Sequence, residues 1–331
     1  MSNFWKDIKK PVFSLAPMED VTDTSFREIV LALSDPEYLQ VIFTEFTSTN
    51  GLCHEKGRPN VISRLEVNDS ERILLQEKNV KLVAQIWGPD PENHFKSAKI
   101  VSDMGFEGID INMGCPIKKI VKQGGCSALI ANPELAGEII QATQEGSSLP
   151  VSVKTRIGLN KVITEEWISH LLKYNLAALT VHGRTQKMQS EGLADWNEIA
   201  KAVQLRNEIA PETLIFGNGD VMSAEEGLAK CETHQLDGVM IGRGIFKTPW
   251  FFNANVQDPS IKESLDVLWR HVSLFTKTWE GRRNFAIQKR FFKIYINNFK
   301  GAAELRASLM ETNNIDEVEK VIEQYREQNQ V

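Results

Sequence analysis

Short apolar runs rich in β-branched residues recur along the chain, each followed by a longer stretch whose apolar positions carry helical spacing. The runs at 12–16, 41–45, 81–86, 108–112, 151–154, 178–182, 214–217 and 238–241 predict eight strands. Their near-continuous apolar character is that of parallel strands covered on both faces. Eight strands alternating with helices over about 250 residues predict a (β/α)8 TIM barrel. A doubly wound sheet is the structural competitor. However, the first strand runs into Ala16-Pro17-Met18-Glu19 and lacks the glycine fingerprint that such sheets place there.

Helix starts agree with these strand positions. Asn132-Pro133-Glu134 offers an N-cap and a first-turn proline, and Ser223 with Glu226 has capping-box spacing. After Pro249 the strand–helix rhythm stops. From about Ile261 the pattern is helical, broken at Gly301 and at Asn313-Asn314, which predicts a small C-terminal all-helical domain. The expected division is 1–255 for the barrel and 256–331 for the helices.

Charge changes the picture only in that last region. The 331 residues carry a net charge of -6, which by itself gives no reason to expect nucleic acid. Between Arg270 and Arg306, however, nine Lys or Arg residues face only Glu280 and Glu304. At about 100° per residue on a single helix, Arg282, Lys289, Lys293 and Lys300 share one side, with Arg283 and Arg290 beside them. Phe285, Phe291, Phe292, Tyr295 and Phe299 fall opposite. An aromatic face packed into a bundle and a basic face toward a polyanion is one reading; an ordinary solvated face is the other.

The 42% hydrophobic and 25% charged content is that of a globular chain. Four scattered cysteines with no CxxC pair imply neither a disulfide framework nor a zinc site, and the six histidines show no metal-ligand spacing, so no metal is expected. No run approaches the roughly 20 apolar residues of a membrane span, and no secretory pattern opens the chain. A cytoplasmic protein, acting as a monomer without an obligate protein partner, is the expectation.

A barrel of this kind carries its active site at the C-terminal ends of its strands. Polar residues gather there: Glu45, Gln85, Asn112 with Cys115, Lys154 with Arg156, His182 with Arg184, Asn218-Gly219-Asp220, and Gly242-Arg243-Gly244. The last two groups follow adjacent strands, where such barrels bind phosphate, with Arg243 or His182 at hand. Lys154 can stabilise negative charge on a cofactor, or else pair with Asp110. Cys115, in a Gly-Cys-Pro turn, reads as a proton donor, as a nucleophile paired with His182, or as a small buried hydrophobe.

Taken in order, several segments resemble the bacterial tRNA-dihydrouridine synthases. These are Ala16-Pro17-Met18-Glu19, Asp110-Ile111-Asn112-Met113-Gly114-Cys115-Pro116, Val153-Lys154-Thr155-Arg156, Val181-His182-Gly183-Arg184-Thr185, Asn218-Gly219-Asp220, and Met240-Ile241-Gly242-Arg243-Gly244. The resemblance covers nearly the whole chain. It implies an FMN-dependent enzyme that reduces the C5–C6 double bond of uridines in tRNA, with NADPH as reductant. Pro17, Met18 and Glu19 would lie along the flavin, and Gln85 and Lys154 at its polar edge. His182, Asn218, Gly219, Asp220, Gly242 and Arg243 would hold the ribityl chain and phosphate. Cys115 would be the acid to C5. Asn112 and Arg184 would contact FMN or the target nucleotide, and Arg282, Arg283, Lys289, Arg290 and Lys293 the RNA.

The sequence departs from the family pattern in two places. Cys126 and Ser127 stand where smaller or different residues are usual, and Gln186–Glu191 holds Met188 and Ser190 where many members carry an aromatic. Alternatives remain open: the same chemistry on ribosomal RNA, a small-molecule FMN-dependent oxidoreductase of the ene-reductase kind, and a catalytically silent RNA-binding protein.

Overall fold

The computed structural model describes residues 3–256 and 258–331. Eight parallel strands close a barrel: β1 Val12–Leu15, β2 Val41–Phe43, β3 Lys81–Trp87, β4 Gly108–Met113, β5 Val151–Arg156, β6 Ala178–His182, β7 Leu214–Asn218 and β8 Gly238–Ile241. Each pairs with the next, and β8 returns to β1 with Val12 opposite Gly238. A two-residue extension, Thr47–Ser48, adds to the far end of β3. The (β/α)8 expectation is met, and six of the eight strands begin and end within one residue of their predicted bounds; β2 stops at Phe43, two residues short of the expected end. The other exception is β5, which continues through Thr155 and Arg156, polar residues whose backbone pairs with Val181 and His182.

Helices cover the barrel as their caps prescribe. The Asn132 side chain accepts from the Leu135 amide, with Pro133 opening the helix Pro133–Gly146. The Ser223 hydroxyl accepts from the Glu226 amide, but Glu226 returns its carboxylate to the Met222 amide, one residue earlier than a capping box requires. Among the described residues no helix is long and apolar enough to cross a membrane.

Beyond the barrel the long helix Ile261–Trp279 is opened by a full capping box between Ser260 and Glu263. The expected single helix carrying Arg282 to Lys300 is not formed. Gly281 turns into the left-handed region at φ 71°, which ends the first helix at little steric cost. Asn284 then caps a 3-10 segment, Phe285–Phe291, followed by one helical turn, Phe292–Tyr295. The aromatic residues still go inward: Phe291, Phe292 and Tyr295 are buried, and Phe291 packs on Phe26 of the barrel helix Thr24–Leu33. Helices Ala302–Glu311 and Ile315–Asn329 complete the bundle.

The break redirects the basic residues. Arg283 reaches back to Glu45 at 2.7 Å and lies 3.8 Å from Asp23, Arg290 lies 3.5 Å from Asp20, and Arg282 is 2.6 Å from Glu66. Lys289 donates to the Met310 carbonyl at 2.6 Å. Lys293 is exposed and forms no ion pair among the described residues.

Candidate active site

The turn after β4 is fixed by its own sequence. The Asn112 side-chain oxygen accepts from the amides of Gly114 and Cys115 at 3.1 and 3.0 Å, closing a local turn that a non-polar residue could not make. Arg156, at the end of β5, donates to the Gly114 carbonyl at 2.7 Å. The Ser127 hydroxyl donates to the Cys115 carbonyl at 2.8 Å. Cys115 is thus held from three directions and remains only half-buried.

Its thiol is more acidic than an ordinary cysteine. A hydrogen bond from the Cys126 thiol, opposed by burial, then the Ile117 amide and the charges of Arg156 and Lys154, bring its pKa down to about 7. Among the described residues no hydrogen bond joins Cys115 to His182, whose Nε2 is taken by Arg184, so the Cys115–His182 dyad is not assembled. Burial and four cations (Lys154, Arg156, Arg184 and Arg243) hold His182 well below the usual histidine range and therefore neutral. Its Nε2 accepts from Arg184 at 3.1 Å.

Lys154 and Asp110 do not form the ion pair that sequence left open. The Asp110 carboxylate accepts from Gln85 at 2.7 Å and from Ser152 at 2.6 Å. Lys154 instead donates to the Asn218 side chain at 3.0 Å, and Asn218 in turn donates to the Met240 carbonyl at 2.8 Å. Burial, then the neighbouring Arg156 charge, lower the Lys154 pKa to about 8, with Asp110 opposing. Of the three donors on its ammonium, one is spent on Asn218.

One cleft runs across the strand ends. It is lined by Ala16, Pro17 and Met18 after β1, Lys154 on β5, His182 and Arg184 at β6, Asn218, Gly219, Asp220, Val221 and Met222 at β7, and Met240, Gly242, Arg243 and Gly244 at β8, with Ser190 at its edge. The register puts Arg156, His182, Asn218 and Met240 side by side across four strands. Asp220 is the one acid in the lining and holds two arginines, Arg184 at 2.5 Å and Arg243 at 2.7 Å, together with the Ala194 amide. Around Gly242 the cleft is open: a β-carbon there would meet only the Ala16 Cβ, at 3.9 Å. Backbone and cations facing open space beside β7 and β8 suit a phosphate-bearing group.

Several predicted residues stand elsewhere. Gln85 is fully buried beneath the mouth, bonded to Asp110 and accepting from Asn112 at 2.9 Å. Asn112 therefore shapes the Cys115 turn. Glu19 turns away from the cleft to Arg64, 2.5 Å away. Glu19, Asp20 and Glu45 place carboxylate oxygens within 4.8 Å of one another, and each is matched by an arginine: Arg64, Arg290 and Arg283. Two residues of the site were named from sequence but given no role there. Arg156 shares with Lys154 the side of β5 that alternation predicts, a signal that was available. Cys126 lies within a glycine run at φ 54° and is fully buried; its oddity is visible in sequence, its partner is not.

A family model described as dihydrouridine synthase (Dus) matches residues 14–330. The chain is 43% identical over 328 residues to a probable tRNA-dihydrouridine synthase of Staphylococcus aureus strain MRSA252, an alignment covering 98% of this chain and 96% of that relative. A probable tRNA-dihydrouridine synthase 2 of Bacillus subtilis strain 168 is 42% identical over 325 residues, with the same coverages. Among solved structures, histamine dehydrogenase from Rhizobium sp. 4-9 aligns with a TM-score of 0.52 at 14% identity over 79% of this chain and 48% of that one, a likeness of fold alone. With its motifs in family order around one barrel mouth, and with these identities over nearly its full length, the chain belongs to the dihydrouridine synthase family.

Proposed function

We propose that this protein is a tRNA-dihydrouridine synthase that reduces the C5–C6 double bond of uridines in tRNA, with FMN as cofactor and NADPH as reductant. The observation that carries the reading is the convergence of Pro17, Met18, Lys154, His182, Asn218, Gly219, Asp220, Gly242 and Arg243 on one cationic cleft beside an acidified thiol. When bound, FMN supplies the hydride that adds to C6 of uracil.

The chain's own residues supply the rest. Arg243 and the open backbone at Gly242 hold the phosphate, while Asp220 keeps Arg243 and Arg184 aimed at it. Neutral His182 donates a hydrogen bond from Nδ1, since its Nε2 already accepts one from Arg184. Lys154 places a cation where negative charge develops on the cofactor. Cys115 transfers its proton to C5, and the resulting thiolate is stabilised by Cys126, Arg156 and Lys154.

The residues 256–331 form a domain that grips RNA around a uridine swung out of its stack. Lys118, Lys119 and Lys122, just after Cys115, are exposed and form no ion pair among the described residues, so they offer charge to a phosphate backbone arriving at the mouth. The deciding experiment is the visible spectrum of the purified protein before and after anaerobic NADPH, followed by addition of unmodified tRNA or ribosomal RNA. Flavin bands that bleach with NADPH and return only with tRNA, with dihydrouridine formed, support the reading. A colourless protein that stays colourless with added FMN overturns it, and reoxidation by ribosomal RNA alone changes the substrate.

A further inference from the structure

We propose that Cys126 is the resolving partner of Cys115, and that hydroperoxides convert the two thiols reversibly into a disulfide. The pair is built by the fold. Cys115 ends the turn after β4, and Cys126 opens the 3-10 segment Cys126–Ala131, which the next residue clamps to the Cys115 carbonyl through both its hydroxyl, at 2.8 Å, and its amide, at 3.4 Å. These bonds set Cys126 against Cys115, and each thiol acts on the other's acidity. Their exposures differ as an attacking and a resolving thiol require: Cys115 is half-buried, and Cys126 is fully buried behind it.

The remaining cysteines are placed apart. Cys53 contacts the Asn93 carbonyl and the Ser97 hydroxyl, and Cys231 is buried on the helix Ala224–His234, where burial pushes its thiol up to about 12. The groups that act most on the Cys115 sulfur are the Cys126 thiol, the Ile117 amide, and Arg156 and Lys154 from β5. These favour the thiolate near neutral pH, which is the attacking species.

The chemistry balances with a hydroperoxide as oxidant. The Cys115 thiolate attacks one peroxide oxygen and the O–O bond breaks. The departing oxygen takes a proton and leaves as water or alcohol, and sulfur becomes a sulfenic acid. The Cys126 sulfur then attacks the Cys115 sulfur, the S–O bond breaks, and the Cys126 proton leaves with the hydroxide as water. Two thiols lose two electrons in all, and a dithiol returns them. The oxidised pair has no proton to give at Cys115, so the step proposed above for that residue stops until reduction. The inference shares a residue with that reading, but its test uses neither cofactor nor RNA.

The test is peptide mapping of the reduced full-length protein after brief exposure to a molar excess of hydrogen peroxide and trapping of free thiols. Lys118, Lys119 and Lys122 lie between the two cysteines, so trypsin separates them and a disulfide holds two peptides together. A joined peptide that dithiothreitol splits into two alkylatable thiols is the expected result. In Cys126→Ser, Cys115 is expected to advance to sulfinic and sulfonic acid under the same exposure. Wild-type protein read alone keeps the test valid if that variant does not fold. Cys115 appearing as sulfinic acid in the wild type with no joined peptide overturns the proposal, as does crosslinking to Cys53 or Cys231 to the same extent.

Discussion

Replacing Arg283 with alanine separates two roles that its charge allows, gripping RNA and docking the helical domain. Its guanidinium is one-tenth exposed, lies 2.7 Å from the fully buried Glu45 carboxylate, and stacks over Trp279 at 4.1 Å. Glu45 keeps one other partner, the Asp20 amide at 2.8 Å. Without Arg283 that carboxylate is left buried beside Asp23, which burial and then Glu45 itself already push up to about 6. Removing one member of a buried pair costs about 3–5 kcal/mol, whereas a half-exposed pair such as Arg282–Glu66 is worth about 1 kcal/mol or less. Arg283→Ala is therefore expected to lower the free energy of unfolding in urea several times more than Arg282→Ala. The pH dependence has a definite sign. Asp23 is raised in the folded chain, so its contribution favours folding below about 6 and is lost as pH rises through that value. Loss of Arg283 raises it further, and the deficit shrinks between about pH 7 and about pH 5. Arg283→Met combined with Glu45→Gln should recover part of the stability, because Glu45 is then no longer a buried unpaired charge, while Asp23 still loses Arg283. Equal, small losses for Arg282→Ala and Arg283→Ala, with RNA affinity falling only in the latter, would refute the docking role.

Four further outcomes are expected. Cys115→Ala should retain FMN but slow single-turnover reduction of tRNA by about 10²–10⁴-fold, measured by mixing the anaerobically reduced protein with RNA. In the wild type that same step should be level below about pH 7 and fall about tenfold per unit above it, because the acid must be protonated, while NADPH-driven bleaching of the flavin follows a different curve. Lys154→Met should lower flavin occupancy after purification, read as the ratio of visible to ultraviolet absorbance, because it removes both the cation and its bond to Asn218. Charge reversal at Lys118 and Lys119 should weaken tRNA binding and flatten its salt dependence by about one unit of slope per lost phosphate contact.

The barrel was legible because near-continuous apolar runs report burial on both faces, which is what a parallel strand covered by helices needs. The end of β5 was less so, because Thr155 and Arg156 are polar and their strand pairing is a backbone property that side-chain type does not announce. The C-terminal region shows the converse. Its aromatic residues were rightly read as core, but the period was taken as that of one α-helix. Gly281 interrupts it and the turn that follows carries Arg283 back to the barrel, while the 3-10 segment capped by Asn284, with about three residues per turn, sets the direction of Arg290.

The polar strand ends were also read as aimed at a single mouth, and the structure divides them. Those of β5 to β8 bring Lys154, His182, Arg184, Asn218 and Arg243 to a cleft whose one acid serves to orient arginines. Those near β1 and β2 bring Glu19, Asp20 and Glu45 to the other side, where each meets an arginine. Sequence alone cannot make this division, because it depends on which charges find partners across more than two hundred residues of chain, as Glu45 and Arg283 do. The consequence is chemical. Arginines of the helical domain that looked free for RNA instead neutralise the acidic rim, whereas Lys118, Lys119 and Lys122 are exposed and without an ion pair among the described residues, so a polyanion that reaches this mouth meets lysines that follow directly on the thiol.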